Sequence, residues 1–151
     1  MSGHLDIIRH SKLGDGTFSD VLWNGEYLFK LCERTSTLIP PGEYQLLPHT
    51  SQKPCLARWE GRTVAFHNPA LNVYAEPAMI PPGVQGARFC CLIHPADWPF
   101  QLEGCGAPGH EILQLPPHGW GVDDSRDAFG LIVPLWGDRT GLTATIKESF
   151  Q

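Results

Sequence analysis

At 151 residues and a formal net charge of −5, the chain is sized for one domain over 1–151, and its scattered basic residues exclude the concentrated face that phosphate-driven nucleic-acid binding needs. Hydrophobic residues at 42% and charged residues at 18% exclude a disordered chain, and no apolar run approaches the ~18 residues needed to cross a bilayer. The 16 glycines and 14 prolines interrupt the chain every few residues, which predicts short strands and turns instead of long helices.

The opening Met1-Ser2-Gly3-His4-Leu5-Asp6 lacks a basic stretch followed by an apolar one, so no secretory signal is expected and synthesis in the cytoplasm is the default reading. Leu5–His10 then reads as a first strand. Asp20-Val21-Leu22-Trp23 and Glu26–Leu31 flank Asn24-Gly25, which supplies the two positive-φ positions of a type I′ hairpin turn. Pro40-Pro41-Gly42 predicts a turn and Glu43–Leu47 a strand. Leu56–Trp59 and Arg62–His67, separated by Glu60-Gly61, predict a second hairpin, and Leu71–Tyr74 a short strand or extended loop. After the break at Pro81-Pro82-Gly83, Arg88–His94 is a nearly continuous apolar run that predicts a buried central strand.

Residues 95–124, rich in Pro, Gly and Asp, are expected as a long functional or irregular loop. One helix is predicted near Ser125–Val133, capped by Asp124 or Ser125, with Ala128, Phe129, Leu131, Ile132 and Leu135 at helical spacing and Pro134 ending or kinking it. Leu142, Ala144 and Ile146 alternate with Thr143 and Thr145 as a closing strand. The expected fold is mainly β, a compact sheet or barrel-like domain with one packed helix.

The stretch from His94 to Cys105 holds the candidate chemistry. The five cysteines, Cys32, Cys55, Cys90, Cys91 and Cys105, are odd in number and too sparse for a disulfide scaffold, so they are expected as free thiols. Only Cys105 stands between two glycines, Gly104 and Gly106, which let backbone approach closely and are expected to leave N–H groups open to an oxyanion. His94, just before Pro95, is far enough away in sequence for a loop to fold back and bring imidazole to thiol. His94 would then take the thiol proton, oriented by Asp97, Glu103 or a backbone carbonyl. The bland alternative is a buried thiol acting as a small hydrophobe beside a structural histidine. A zinc site from Cys91, His94, Cys105 and His110 is a further reading, opposed by the strand geometry that puts Cys91 and His94 on opposite faces. Zinc is not expected, and no cofactor is implied. Trp98, Phe100 and Trp120 would line a groove or pin the loop.

The ordered pieces Leu31-Cys32-Glu33, Ile39-Pro40-Pro41-Gly42-Glu43-Tyr44, Leu92-Ile93-His94-Pro95, Glu103-Gly104-Cys105 and Ser125-Arg126-Asp127-Ala128-Phe129 resemble a family of small uncharacterised phage and bacterial domains. Its members carry Thr-Leu-Glu, Ile-Pro-x-Gly-x-Tyr, Ile-His, Glu-Gly-Cys-Ile and Ser-x-x-Ala segments in that order. The resemblance spans about residues 19–133. That family is in turn similar to the L,D-transpeptidases, in which a His is coupled to a Ser/Thr-His-Gly-Cys motif. The resemblance implies Cys105 as nucleophile, His94 as base, and Glu103 and Gly104 in the catalytic motif. Asp97, Trp98 and Glu33 are the expected substrate-binding residues. Glu103 stands where the transpeptidases have His, and Gly106 replaces their branched residue.

Two functions follow as expectations. One is a cysteine-dependent peptidase or transpeptidase acting on peptidoglycan stem peptides, phage-borne. The other is a non-enzymatic structural or binding component of a phage virion, partnered by other phage structural proteins. Neither involves nucleic acid or a membrane.

Overall fold

The computed structural model describes residues 3–150. In chain order the strands are β1 His4–Leu13, β2 Gly16–Trp23, β3 Glu26–Arg34, β4 Gly42–Thr50, β5 Arg62–His67, β6 Val73–Tyr74, β7 Arg88–Phe89, β8 Gly106–Gly109, β9 Ile112–Leu115 and β10 Gly119–Val122. The helix α1, Ser125–Trp136, and the strand β11, Leu142–Glu148, follow. Seven strands make one sheet in the order β5-β4-β11-β1-β2-β3-β8, in which only β1 and β11 run parallel. β9 with β10, and β6 with β7, form separate two-stranded ribbons. The fold is mainly β with one principal helix, as its sequence pattern predicts. No helix among the described residues is long and apolar enough to cross a membrane.

Residues Leu92 and Ile93 tie the two edges of the main sheet together. Leu92 bridges Ala65 of β5, and Ile93 bridges Gly106 of β8. The Phe66 N–H donates to the Cys91 carbonyl (2.9 Å), the Gly106 N–H to the Leu92 carbonyl (2.9 Å) and the His94 N–H to the Gly106 carbonyl (3.0 Å). A curled, barrel-like sheet with a two-residue seam results, and the seam runs directly beside both candidate catalytic residues.

Alternation along the strands divides the core in two. Leu5, Ile7, Phe29, Leu31, Ala144 and Ile146 join Ala128, Phe129, Ile132 and Trp136 of α1 in the larger cluster. The next residue after Leu31, Cys32, faces the other way and packs with Phe18, Leu92, Leu102, Cys105 and Ala107. Asn24 (φ 49°) and Gly25 (φ 88°) make the tight turn between β2 and β3. Arg9, fully buried, donates to the buried Glu33 through Nε (3.0 Å) and Nη2 (2.8 Å).

The structure corrects four local expectations. Pro54–Trp59 is a 3-10 helix and not a strand; Pro54 starts it, and Glu60 (φ 58°) ends it, so β5 pairs with β4 instead. The 88–94 run is not one continuous strand: Cys90 turns left-handed (φ 52°), leaving a short β7 and then the seam. Residues 95–124 contain three short strands. Helix α1 runs through Pro134 to Trp136, its Leu131 and Leu135 face outward, and Asp124 makes no side-chain cap.

Strand β8, Gly-Ala-Pro-Gly, has little intrinsic strand propensity and is held by close packing. A Cβ on Gly109 would lie 2.3 Å from the Val122 Cβ and 2.8 Å from the Asp123 carbonyl oxygen. Gly109→Ala should therefore lower the unfolding free energy by about 1–3 kcal/mol, the usual range for overpacking a filled site. A urea melt would measure it, and an unchanged midpoint would show that β10 yields freely.

Candidate active site

Cys105 immediately precedes β8. Its neighbour Gly104 has φ +76°, and a Cβ there would lie 2.6 Å from an Arg88 nitrogen and 3.0 Å from the Cys91 sulfur, so the position requires glycine. The flanking N–H groups are not free as expected. Gly104 donates to the Thr37 hydroxyl (3.0 Å) and Gly106 to the Leu92 carbonyl (2.9 Å). The glycines position the thiol; their own amides are committed to the fold.

The Cys105 sulfur accepts the Leu92 N–H (3.3 Å) and its thiol donates to the Cys90 carbonyl (3.6 Å). The residue is 5% exposed. Burial pushes the thiol up from its ordinary value, while the Leu92 N–H and the Lys53 charge pull it partly back. Cys105 is therefore a protonated thiol near neutrality and needs a base to react.

His94 is 4% exposed. Its Nδ1 lies 3.0 Å from the Pro95 carbonyl oxygen, which can only accept, so Nδ1 carries the proton. The Cys55 sulfur approaches the same nitrogen at 3.6 Å. Nε2 is then an unprotonated acceptor, and it is buried without a partner. Burial pushes the imidazole down, opposed by the Pro95 carbonyl and assisted by Lys53. A neutral imidazole with one oriented N–H and one unused lone pair is the form a general base requires.

Cys105, His94 and Glu103 line one cavity of about 510 Å³, shared with Cys90, Arg34, Lys53 and Arg88. No hydrogen bond joins thiol and imidazole directly. The remaining sequence-predicted residues lie elsewhere. Glu33 is paired with Arg9 in the interior. Asp97 lines a separate cavity at the start of α1, and its carbonyl accepts the Val122 N–H (3.0 Å). Trp98 donates from Nε1 to the Leu115 carbonyl (3.1 Å) and packs with Phe100 and His118, which anchors the loop. His110 bonds Asp127 (2.7 Å), and Cys91 is buried in the core. Among the described residues no group of three or more His, Cys, Asp or Glu is placed to hold a metal ion.

Sequence reasoning missed Cys55, Lys53, Arg34 and Arg88. Their only signal is spatial: they come from the 3-10 segment, the end of β3 and the start of β7. No family model, curated protein or solved structure matches the chain.

Proposed function

We propose that the domain is a cysteine peptidase or transpeptidase acting on peptidoglycan stem peptides, carried by a phage. The observation that carries the reading is the state of His94: Nδ1–H fixed on the Pro95 carbonyl, and a buried, unpartnered Nε2 in a residue that shares its cavity with Cys105. The ordered Ile-His and Glu-Gly-Cys motifs, similar to those of the L,D-transpeptidase-like family, supply the substrate class.

In this reading Nε2 takes the Cys105 proton as the sulfur attacks an amide carbonyl. The S–C bond forms, the C–N bond breaks, and the imidazolium returns the proton to the leaving amine. Water, or the amine of a second peptide, then resolves the thioester and regenerates the thiol. Glu103, exposed on the cavity wall, replaces the transpeptidase histidine as the polar group ahead of the glycine.

The competing reading is a structural virion component with the same fold. The 5% exposure of Cys105 and the committed glycine amides favour it. Incubating purified protein with isolated peptidoglycan distinguishes the two. The enzyme reading expects trimmed or exchanged stem peptides with wild type and none with Cys105→Ser, whose circular dichroism should be unchanged. Inert wild-type protein that incorporates stably into a multi-protein particle would support the structural reading.

A further inference from the structure

We infer that Arg34 and Lys53 form a carboxylate-recognition subsite beside Cys105, so that the thiol reacts preferentially with negatively charged acyl substrates. This rests on Cys105 being the reacting group. The chain as a whole is acidic, with a net charge of −5 and only 11 Lys and Arg. Three of those cations, Arg34, Lys53 and Arg88, nevertheless converge on the one cavity that holds Cys105 and His94, against a single carboxylate, Glu103. They arrive from three separate stretches of chain, so the convergence is not a charge run on one exposed face.

Among the described residues none of the three forms an ion pair with a carboxylate. Arg88 is held by the backbone carbonyls of Thr37 and Leu38 and stiffens the wall. Arg34 and Lys53 have no side-chain hydrogen bond to a described residue in the cavity and retain their donors for a ligand. The field of Lys53 reaches both reacting groups, since it lowers the thiol and the imidazole alike. A cavity of about 510 Å³ accommodates a short peptide end rather than a single ion. Phe89 and Phe100, 49% and 53% exposed, give its lining an apolar part for the rest of such a chain.

Alkylation tests this without any assumption about the natural substrate. Iodoacetate is a carboxylate and iodoacetamide is its neutral counterpart; each forms the S–C bond, expels iodide and releases the thiol proton. Rates at Cys105 are followed by fragment-ion mapping that separates it from Cys90 and Cys91, with N-acetylcysteine as reference. The iodoacetate-to-iodoacetamide ratio at Cys105 should exceed that of N-acetylcysteine. Arg34→Gln and Lys53→Gln should each lower it about threefold, the effect of a unit charge about 6 Å away through a water-like dielectric. Raising salt from about 0.01 M to about 1 M should remove the preference in wild type, where no substitution can disturb the fold. A ratio equal to the reference, or one unmoved by both substitutions, overturns the subsite and leaves the thiol reading standing. Failure of both reagents to label Cys105 while Cys55 or Cys90 reacts overturns the nucleophile assignment itself.

Discussion

Glu33→Ala should lower the unfolding free energy by about 3–5 kcal/mol, the range for breaking a buried ion pair from one side. The guanidinium of Arg9 is fully buried and donates to both Glu33 oxygens, and its Nη2 also donates to the Ile39 carbonyl (2.9 Å). Burial opposes its charge, and Glu33 with Glu148 outweighs that and raises its pKa; when Glu33 is lost the guanidinium, basic enough to stay protonated in a protein interior, keeps its charge. Only Glu148, 3.5 Å from Nη1 and partly exposed, would remain to balance it. Replacing both partners by apolar residues of similar volume, Arg9→Met with Glu33→Leu, should recover much of the loss, because no uncompensated charge is left inside. Urea unfolding of the single and double variants measures this; a Glu33→Ala loss below about 1 kcal/mol would mean that water reaches Arg9.

Under the proposed function, His94→Ala should reduce stem-peptide turnover by about 10²–10⁴-fold, the usual contribution of a positioned general base. The wild-type pH profile gives a finer test. The imidazole is held below its ordinary 6.5 by burial, and in the proposed mechanism the neutral form is the one that acts. Activity should therefore persist on the acid side of pH 6.5 and fall only as His94 protonates. A preformed thiolate–imidazolium pair would behave oppositely, needing a raised imidazole and a lowered thiol. The same shift links to stability. The folded-state pKa lies below the unfolded one, so this contribution is full above the unfolded value and is lost as pH falls below it through the folded value. His94→Ala should flatten that acid-side decline. An acid limb above pH 7 would remove His94 from the role of neutral base.

The elements legible in the sequence were those in which local chemistry and tertiary context agree. Asn24-Gly25 demands its turn, Leu5 and Ile7 and the alternation of β11 demand one buried face, and the Ala128-Phe129-Ile132 spacing demands a helix. Two misreadings have one cause: a local pattern overridden by pairing partners far away in sequence. Arg88–His94 is apolar enough for a strand, yet Cys90 takes a left-handed turn so that Leu92 and Ile93 can reach β5 and β8. Gly106-Ala107-Pro108-Gly109 has the composition of a loop, yet it pairs along β3, where Gly106 packs closely on Leu31 and Gly109 leaves no room for a Cβ beside Val122. Motifs point to Cys105, His94, Glu103 and Gly104, of which Cys105, His94 and Glu103 line one cavity. The Cys55 contact and the converging cations could not, because they depend on where the 3-10 segment lands. Glu33 was legible as an important acid but not as an interior one, since nothing near it in sequence points to Arg9.

The position of β11 has a consequence for how the protein comes into being. It lies between β4 and β1 and is the only direct connection between them within the sheet. Until residues 142–148 pair, β4–β5 and β1–β2–β3–β8 are joined only through the Leu92–Ile93 seam, and β4 and β1 each carry an unpaired edge. Ribosomal synthesis proceeds from the N-terminus, so every other strand of the sheet emerges before the one that joins β4 to β1. Non-local closure of this kind folds slowly and leaves open edges exposed to other chains in the interval.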